Sequence, residues 1–172
     1  MGDERRLTCD VWDLARRGGR LAGNLDSADL PRLAEQVAGG THALRYALAG
    51  FIDERGRAAA SLQVEGLLIL RCDRCGAPLE VPIAEQVRFF FVASEEELGR
   101  LPVDEWPEEP LLGSARFDVR ALVEDQAILA LPISPRHDRC EGPALAPDGH
   151  EGGGVDAPNP FAALSALRRR GH

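Results

Sequence analysis

The sequence predicts an α+β fold: an antiparallel, strongly bent or barrel-like sheet with two or three helices and a Cys-x-x-Cys hairpin tip. Apolar and polar residues alternate over residues 43–52, 58–71 and 78–92, as expected of strands that bury one face. Only short turns separate these three segments, and such turns join antiparallel neighbours. A helical spacing of apolar residues follows between Asp118 and Pro132, so a helix is expected there.

The N-terminal part carries weaker signals. Apolar residues alternate with polar ones within residues 4–14, which predicts a short strand. Residues 16–23 are rich in Arg and Gly and are expected to form a loop. Asp29 is a good N-cap and Pro31 suits the first helical turn, so a helix is predicted over about residues 30–38.

Composition divides the chain into a domain and a tail. Residues 1–140 are expected to form a single α+β domain, although the acidic, Pro-containing residues 93–110 are interpreted as a mobile loop. Residues 141–158 are rich in Gly and Pro and are interpreted as a flexible linker. Residues 159–172 are expected to form a short C-terminal helix and a basic tail.

Bulk charge and hydropathy limit the class of partner. The chain has 172 residues, and its net charge is −8. Phosphate binding needs concentrated positive surface, so a generic nucleic-acid binder is excluded and no DNA partner is expected. No apolar run reaches the length of a signal peptide or the roughly 18 residues of a membrane span. We therefore expect a cytoplasmic protein that makes no contact with a membrane.

Four residues at two places in the sequence have the donor types that zinc prefers. Cys72 and Cys75 form a Cys-x-x-Cys between two predicted strands, and His137 and Cys140 follow the predicted helix. Thiolate and imidazole are the usual zinc ligands, and four of them complete a structural site. The two pairs lie about 60 residues apart, well outside compact finger spacings. The alternative is that Cys72 and Cys75 are solvent-exposed thiols and that His137 and Cys140 simply lie in a loop. Cys9 is interpreted as a small buried apolar residue of a strand, although it could also substitute for one ligand.

Arginines stand beside each half of this candidate site. They are Arg71, Arg74, Arg136 and Arg139. If folding brings the two halves together, these side chains form a local basic patch that could contact RNA or another partner. The alternative, which the sequence leaves open, is that they are solvated charges balancing the thiolates.

The sequence contains no recognisable catalytic set, so we predict that the protein is not an enzyme. No nucleophile–base arrangement has usable context, and no Gly-rich phosphate-binding loop lies between a strand and a helix. Glu124 and Asp125 are neighbours on the predicted helix, point about 100° apart and cannot act as one acid–base pair. At least one of these two acids is expected to lie on the solvated surface of the helix. A redox role for the cysteines would need a thiol at a helix N-terminus, and here they lie between strands.

Four short motifs in this order resemble the YceD family, the large ribosomal RNA subunit accumulation proteins. The motifs are Leu70-Arg71-Cys72-Asp73-Arg74-Cys75, Glu124-Asp125-Gln126-Ala127-Ile128-Leu129-Ala130-Leu131-Pro132, Pro135-Arg136-His137-Asp138-Arg139-Cys140 and Asn159-Pro160-Phe161-Ala162-Ala163-Leu164. The resemblance covers about residues 5–167. Gly76 departs from the apolar residue common after the second cysteine, and the segment after Cys140 is rich in Gly and Pro where relatives are often acidic.

The resemblance implies a non-enzymatic ribosome-biogenesis factor, needed for 23S rRNA accumulation and large-subunit assembly. The cysteine and histidine positions of the family correspond to the candidate ligands, which the resemblance implies form a structural Zn2+ clip. The implied partner is ribosomal RNA or a large-subunit ribosomal protein, and the acidic residues 93–110 offer charge for shielding a basic protein. The alternative hypothesis is a small thiol- or metal-dependent enzyme or a redox regulator.

Overall fold

A computed structural model describes residues 7–102 and 107–140, and the predicted linker and C-terminal helix lie outside the described residues. The strands are β1 (Thr8–Cys9), β2 (Arg20–Asp26), β3 (Ala43–Ile52), β4 (Ala58–Arg71), β5 (Pro78–Val92), β6 (Glu109–Leu112) and β7 (Phe117–Asp118). The helices are α1 (Val11–Arg17), α2 (Pro31–Ala34), α3 (Glu95–Arg100) and α4 (Val119–Leu129), with a short 3-10 helix at Ser27–Asp29. The fold is α+β, as predicted, but these ranges hold four α-helices rather than two or three.

The main sheet is open. Its five strands lie in the order β2-β3-β4-β5-β6, with antiparallel pairing up to β5 and parallel pairing between β5 and β6. Within the described part of the chain, β2 and β6 do not pair with each other, so of the strongly bent or barrel-like sheet that the sequence predicts, the barrel is not closed. β1 and β7 form a separate two-stranded sheet. The mostly antiparallel character of the sheet is confirmed.

The three central strands have the predicted boundaries because their alternation reflects burial. In β4, Leu62, Val64 and Leu68 are buried, whereas the intervening Gln63 and Glu65 are exposed. We call the side with the buried residues the inner face and the opposite side the outer face. Helices α1, α2 and α4 contribute side chains to the core on the inner face, including Val11, Leu33 and Val123. Burial of this apolar surface is the main source of stability.

The N-terminal prediction was wrong in detail. The residues expected as one short strand are β1 followed by α1, which Asp10 caps by accepting the backbone N–H groups of Trp12 and Asp13. The residues expected as a loop hold the end of α1, a left-handed Gly18 with φ 59°, and the start of β2. The following helix is α2, which is much shorter than predicted.

Gly50 lies where α1 crosses β3, and we predict that Gly50→Ala destabilises the protein by about 2 kcal/mol or more. A Cβ built at this position would lie 2.5 Å from the Leu14 carbonyl oxygen and 2.8 Å from the Ala15 backbone nitrogen. Both atoms belong to the backbone of α1, so an alanine side chain fits only if the helix moves. Urea unfolding checks this, with Gly99→Ala as the matched control, because a Cβ there meets nothing within 4 Å. Equal stability of both variants would contradict the proposed packing.

The acidic segment is more ordered than predicted. Residues 93–110 contain α3 and the beginning of β6, so the interpretation as a mobile loop is wrong for the described residues of that segment. Ser94 caps α3 by accepting the N–H of Glu97, and the Glu97 carboxylate accepts the N–H of Ala93. Leu98 of α3 packs against Phe90 in a small second core that covers one end of the outer face.

Glu124 fastens α4 to α2. Its carboxylate accepts the backbone N–H groups of Arg32 at 2.6 Å and Leu33 at 3.1 Å, and the Arg32 guanidinium at 2.8 Å. The N-cap of α2, Leu30, has no side-chain acceptor, so Glu124 satisfies N–H groups that the helix leaves open. Asp125 also pairs with Arg32 at 2.6 Å but is half exposed. The two acids therefore serve as a structural clamp, and only Asp125 resembles solvated surface.

Candidate metal centre

Two chain segments meet at the end of the main sheet. Residues 72–77 connect β4 to β5, with a hydrogen bond from the Cys72 N–H to the Ala77 carbonyl at 2.9 Å. Gly76 adopts a φ of 72°, a left-handed conformation that glycine tolerates without strain. The second segment, residues 130–140, follows α4. We call residues 72–77 together with residues 134–140 the cysteine knuckle.

The four candidate ligands converge within this knuckle. The ligand atoms of Cys72, Cys75, His137 and Cys140 all lie within 4.8 Å of one another. The Cys72 and Cys140 sulfurs are 3.7 Å apart, and the Cys75 sulfur lies 3.5 Å from His137 Nδ1. Cys72 is buried and the other three are partly exposed. Folding thus brings together the two halves that the sequence places about 60 residues apart.

These separations fit a tetrahedral zinc ion. Zn–S bonds of about 2.3 Å and Zn–N bonds of about 2.0–2.1 Å place two sulfurs about 3.8 Å apart, and a sulfur and a nitrogen about 3.5 Å apart. The two short separations in the knuckle match these values. The wider pairs need to close by about 1 Å or less to complete the tetrahedron. Three sulfurs and one imidazole nitrogen form a donor set that zinc accepts.

His137 is held in an orientation that would allow it to bind a metal ion through Nδ1. His137 Nε2 lies 3.0 Å from the Pro78 carbonyl oxygen. A carbonyl only accepts, so Nε2 carries the proton and Nδ1 keeps its lone pair facing Cys75. Such outer hydrogen bonds fix the tautomer and direction of metal-binding histidines.

Polar contacts join the two segments independently of any metal. The Asp73 N–H donates to the Pro135 carbonyl at 2.8 Å, and the Ser134 hydroxyl donates to the Asp73 carboxylate at 2.7 Å. Arg74 donates to the Cys140 sulfur at 3.0 Å and to the His137 carbonyl at 2.5 Å. These contacts pre-position the candidate ligands, which would reduce the entropy lost on binding an ion.

The four arginines of the sequence hypothesis have different environments. Arg74 is exposed but engaged with the knuckle, so its charge balances the thiolates. Arg71, Arg136 and Arg139 are also exposed, and none forms an ion pair with a described residue. Folding therefore leaves three guanidinium groups around the knuckle available for contacts outside it.

The knuckle shifts the pKa values of two thiols in opposite directions. Burial raises the pKa of Cys72, but backbone N–H groups of His137, Arg74 and Cys75 donate to its sulfur, and the net pKa falls to about 5. An N–H from Ala77 lowers the pKa of Cys75, but burial and the neighbouring sulfurs outweigh it and raise the pKa. Cys72 is thus a thiolate at neutral pH, the form that binds metal.

We predict that the metal-free protein shows one thiolate titration with a midpoint near pH 5. Because the folded pKa is lowered, the thiolate and its stabilising hydrogen bonds persist above the unfolded value and disappear as the pH falls through about 5. Thiolate ultraviolet absorbance measures this step. Cys72→Ser should remove it, whereas Cys9→Ser should leave it unchanged because burial raises the pKa of Cys9. A step that survives Cys72→Ser would contradict the assignment.

Sequence reasoning missed the residues that support the ligands. The Pro78 carbonyl carries no side-chain signal, and Ser134 and Asp73 are ordinary surface residue types. Their contacts depend on how the segment after α4 crosses the end of the sheet, which a strand and helix assignment does not give. The only sequence signal was proximity, since Asp73 is adjacent to Cys72 and Ser134 lies three residues before His137.

More than half of the chain matches a known protein family. Residues 60–168 match the sequence model of the family named "Large ribosomal RNA subunit accumulation protein YceD". The chain belongs to the YceD family. The match spans more than half of the chain and contains both halves of the knuckle, so the resemblance drawn from the four motifs is confirmed.

A curated YceD relative aligns along almost the whole chain. The large ribosomal RNA subunit accumulation protein YceD of Haemophilus influenzae is 28% identical over an alignment of 172 positions, which covers 95% of this chain and 96% of the relative. No solved structure gives a significant match. No helix within residues 7–102 and 107–140 has the length and apolar character that a membrane span requires.

Proposed function

We propose that this YceD-family protein is a non-enzymatic ribosome-biogenesis factor, needed for 23S rRNA accumulation and large-subunit assembly in the cytoplasm. The observation that carries the proposal is membership of the family, together with near full-length similarity to a relative named for large ribosomal RNA subunit accumulation. Residues 1–140 act as the folded domain in this proposal, residues 141–158 as a linker and residues 159–172 as a helical, basic tail.

Within this function, the knuckle is a structural zinc clip. Four protein ligands complete a tetrahedral site and leave no open position for water or substrate, as in structural rather than catalytic zinc sites. The clip joins the segment after α4 to the connection between β4 and β5. Its effect is to hold Arg71, Arg136 and Arg139 on one rigid surface, where they contact ribosomal RNA.

The alternative of a thiol enzyme or redox regulator explains the knuckle less well. A lowered pKa is found in nucleophilic cysteines, but catalytic thiols are also accessible. Cys72 is only 1% exposed, and Arg74 and the ligand residues surround it. A cysteine binds a metal ion as the thiolate. A lowered pKa in a buried thiol that accepts several hydrogen bonds therefore fits metal binding.

A large-subunit ribosomal protein is the second candidate partner, and α3 favours it. The first turn of this helix carries Glu95, Glu96 and Glu97, all of which are exposed. An exposed acidic helix offers complementary charge to a basic ribosomal protein. RNA contact through the knuckle and protein contact through α3 use different surfaces, so separate substitutions test them.

Deletion followed by complementation tests the function. We expect loss of the gene to lower 23S rRNA relative to 16S rRNA, and the wild-type chain to co-sediment with large-subunit precursors. Arg136→Gln combined with Arg139→Gln should weaken co-sedimentation if the knuckle binds RNA. Glu95→Gln combined with Glu96→Gln should do so if α3 binds a basic protein. Unchanged 23S rRNA on deletion, with the protein remaining in the free fractions, would refute the proposal.

A further inference from the structure

Strand β2 forms one open edge of the main sheet. It is seven residues long, pairs with β3 along its whole length and has no other ladder partner among the described residues. The strand contains no proline, and its register with β3 continues without a bulge. Unpaired backbone groups on such an edge attract further strands, so proteins usually protect them with prolines, bulges, charges or a covering segment.

The hydrogen bonds at the two ends of β2 show which of its backbone groups are free. The Gly50 N–H donates to the Gly19 carbonyl at 2.9 Å, and the Ser27 N–H donates to the His42 carbonyl at 2.8 Å. Both bonds continue the register between β2 and β3, and in an antiparallel ladder every second pair is hydrogen-bonded. The odd-numbered residues of β2 therefore bond to β3. The N–H and C=O groups that point away from the sheet belong to Arg20, Ala22, Asn24 and Asp26.

The two ends of this edge carry opposite charges. Arg20 and Asp26 are exposed, and neither forms an ion pair with another described residue. Asp26 precedes the 3-10 helix, yet its side chain makes no capping hydrogen bond. Both residues lie three positions from Gly23, the middle of the strand. Two copies of this edge that run in opposite directions are therefore complementary in charge.

We propose that β2 pairs with β2 of a second copy of this chain, antiparallel and across a two-fold axis at Gly23. This pairing joins the two five-stranded sheets into one. It places Arg20 opposite Asp26 of the second copy, and Ala22 opposite Asn24 of the second copy. All the outward-facing N–H and C=O groups then meet in hydrogen-bonded pairs. The two-fold axis makes every contact occur twice, as in most homodimers. The dimer is independent of the proposed ribosomal role.

The side chains on both faces fit this register. On the outer face, Arg20 and Asp26 form a cross-strand ion pair at each end. On the inner face, the half-buried Leu21 lies opposite Leu25 of the second copy, so both lose exposed apolar surface. At the axis, the two Gly23 residues form a non-hydrogen-bonded pair, in which Cα atoms approach to about 4.5 Å. Glycine has no side chain to collide at that distance.

Other arrangements of the two strands fit less well. Parallel pairing in register would bring Arg20 beside Arg20 and Asp26 beside Asp26, and like charges that face each other are destabilising. Shifting the antiparallel register by two residues moves both charges away from their partners. Edge charges of a single sign would repel a second copy, whereas this pair of opposite charges attracts one.

Charge reversal tests the pairing in sedimentation equilibrium. The wild-type mass should rise with concentration toward twice the 18.6 kDa of one chain. Arg20→Asp and Asp26→Arg each place like charges at both ends of the interface, so each should raise the dimer dissociation constant about tenfold or more. An equimolar mixture of the two variants should dimerise like wild type, because every Asp then faces an Arg. The matched control is Arg116→Asp, an exposed arginine outside β2, which should leave dimerisation unchanged.

A proline variant tests the backbone ladder separately. The Asn24 N–H points away from β3, so Asn24→Pro keeps the hydrogen bonds to β3 and removes a donor to the second copy. This variant should stay monomeric at every concentration. In the wild type, the amide protons of Ala22 and Asn24 should gain protection from exchange as the concentration rises.

Four outcomes would overturn the proposed dimer. They are a wild-type mass of one chain at every concentration, a dimer that survives Asn24→Pro, a mixture of the charge variants that stays monomeric, and amide protection that does not depend on concentration. The last result would mean that another segment of the same chain covers β2.

Discussion

Replacing Cys72 with Ser is expected to release about one equivalent of zinc and to lower the thermal midpoint sharply. Cys72 is the most buried of the four candidate ligands, and its thiolate is already formed at neutral pH. Removing one of four ligands opens the tetrahedron to water and weakens the site. An ion present at a thousand times its dissociation constant contributes about 4 kcal/mol to the free energy of unfolding, and the variant should lose most of this.

The measurement combines metal analysis with thermal unfolding of protein purified without chelator. Cys9→Ser is the matched control, because Cys9 is a free thiol in β1 outside the ligand group. The Cys9→Ser variant should keep its zinc. Amide exchange gives a local check, since the Asp73 N–H that bonds the Pro135 carbonyl should lose protection when the metal is removed. Full stability of the metal-free wild type, together with rapid alkylation of Cys72 and Cys75, would refute the clip.

Replacing Glu124 with Ala is expected to lower the free energy of unfolding by about 3 kcal/mol. The Glu124 side chain is 6% exposed. Its carboxylate accepts hydrogen bonds from two backbone N–H groups of α2 and from the Arg32 guanidinium. Its removal leaves buried donors unsatisfied at the start of α2 and separates that helix from α4. Chemical denaturation of the purified variant measures the loss.

Two neighbouring changes serve as comparisons for Glu124. Glu124→Gln keeps one carbonyl oxygen for the backbone donors and should lose about half as much stability. Asp125→Asn removes a half-exposed partner of the same arginine and should change stability by less than about 1 kcal/mol. Equal effects at both positions would mean that Glu124 acts through charge alone and not as a cap for α2.

The accuracy of the sequence prediction followed the strength of each local signal. The three long strands were placed correctly because each buries alternate residues, so their chemistry repeats every second position. α1 and β2 were missed because Arg and Gly dominate residues 16–20, although Gly18 marks a helix end. α3 was missed because its acidic residues suggested a loop. Ser94 followed by Glu97 is the spacing of a helix N-terminal capping box and could have identified it.

The candidate site was predictable in residue type but not in arrangement. Thiolates and an imidazole suggested zinc, but nothing in the spacing required residues 137–140 to reach the connection between β4 and β5. That meeting depends on α4 packing across the inner face, with Glu124 joined to Arg32. Long-range contacts of this kind have no local periodic signature.

The position of the knuckle in the chain has a topological consequence. With zinc bound, Cys75 and His137, which are 62 residues apart, become linked through the ion, and the intervening chain forms a closed ring containing β5, α3, β6, β7 and α4. By analogy with a disulfide, closing a ring of this size removes about 4 kcal/mol of chain entropy from the unfolded state. β1, α1, β2 and β3 lie outside the ring. A backbone break anywhere between the two ligands would therefore leave a single particle for as long as the ion stays bound.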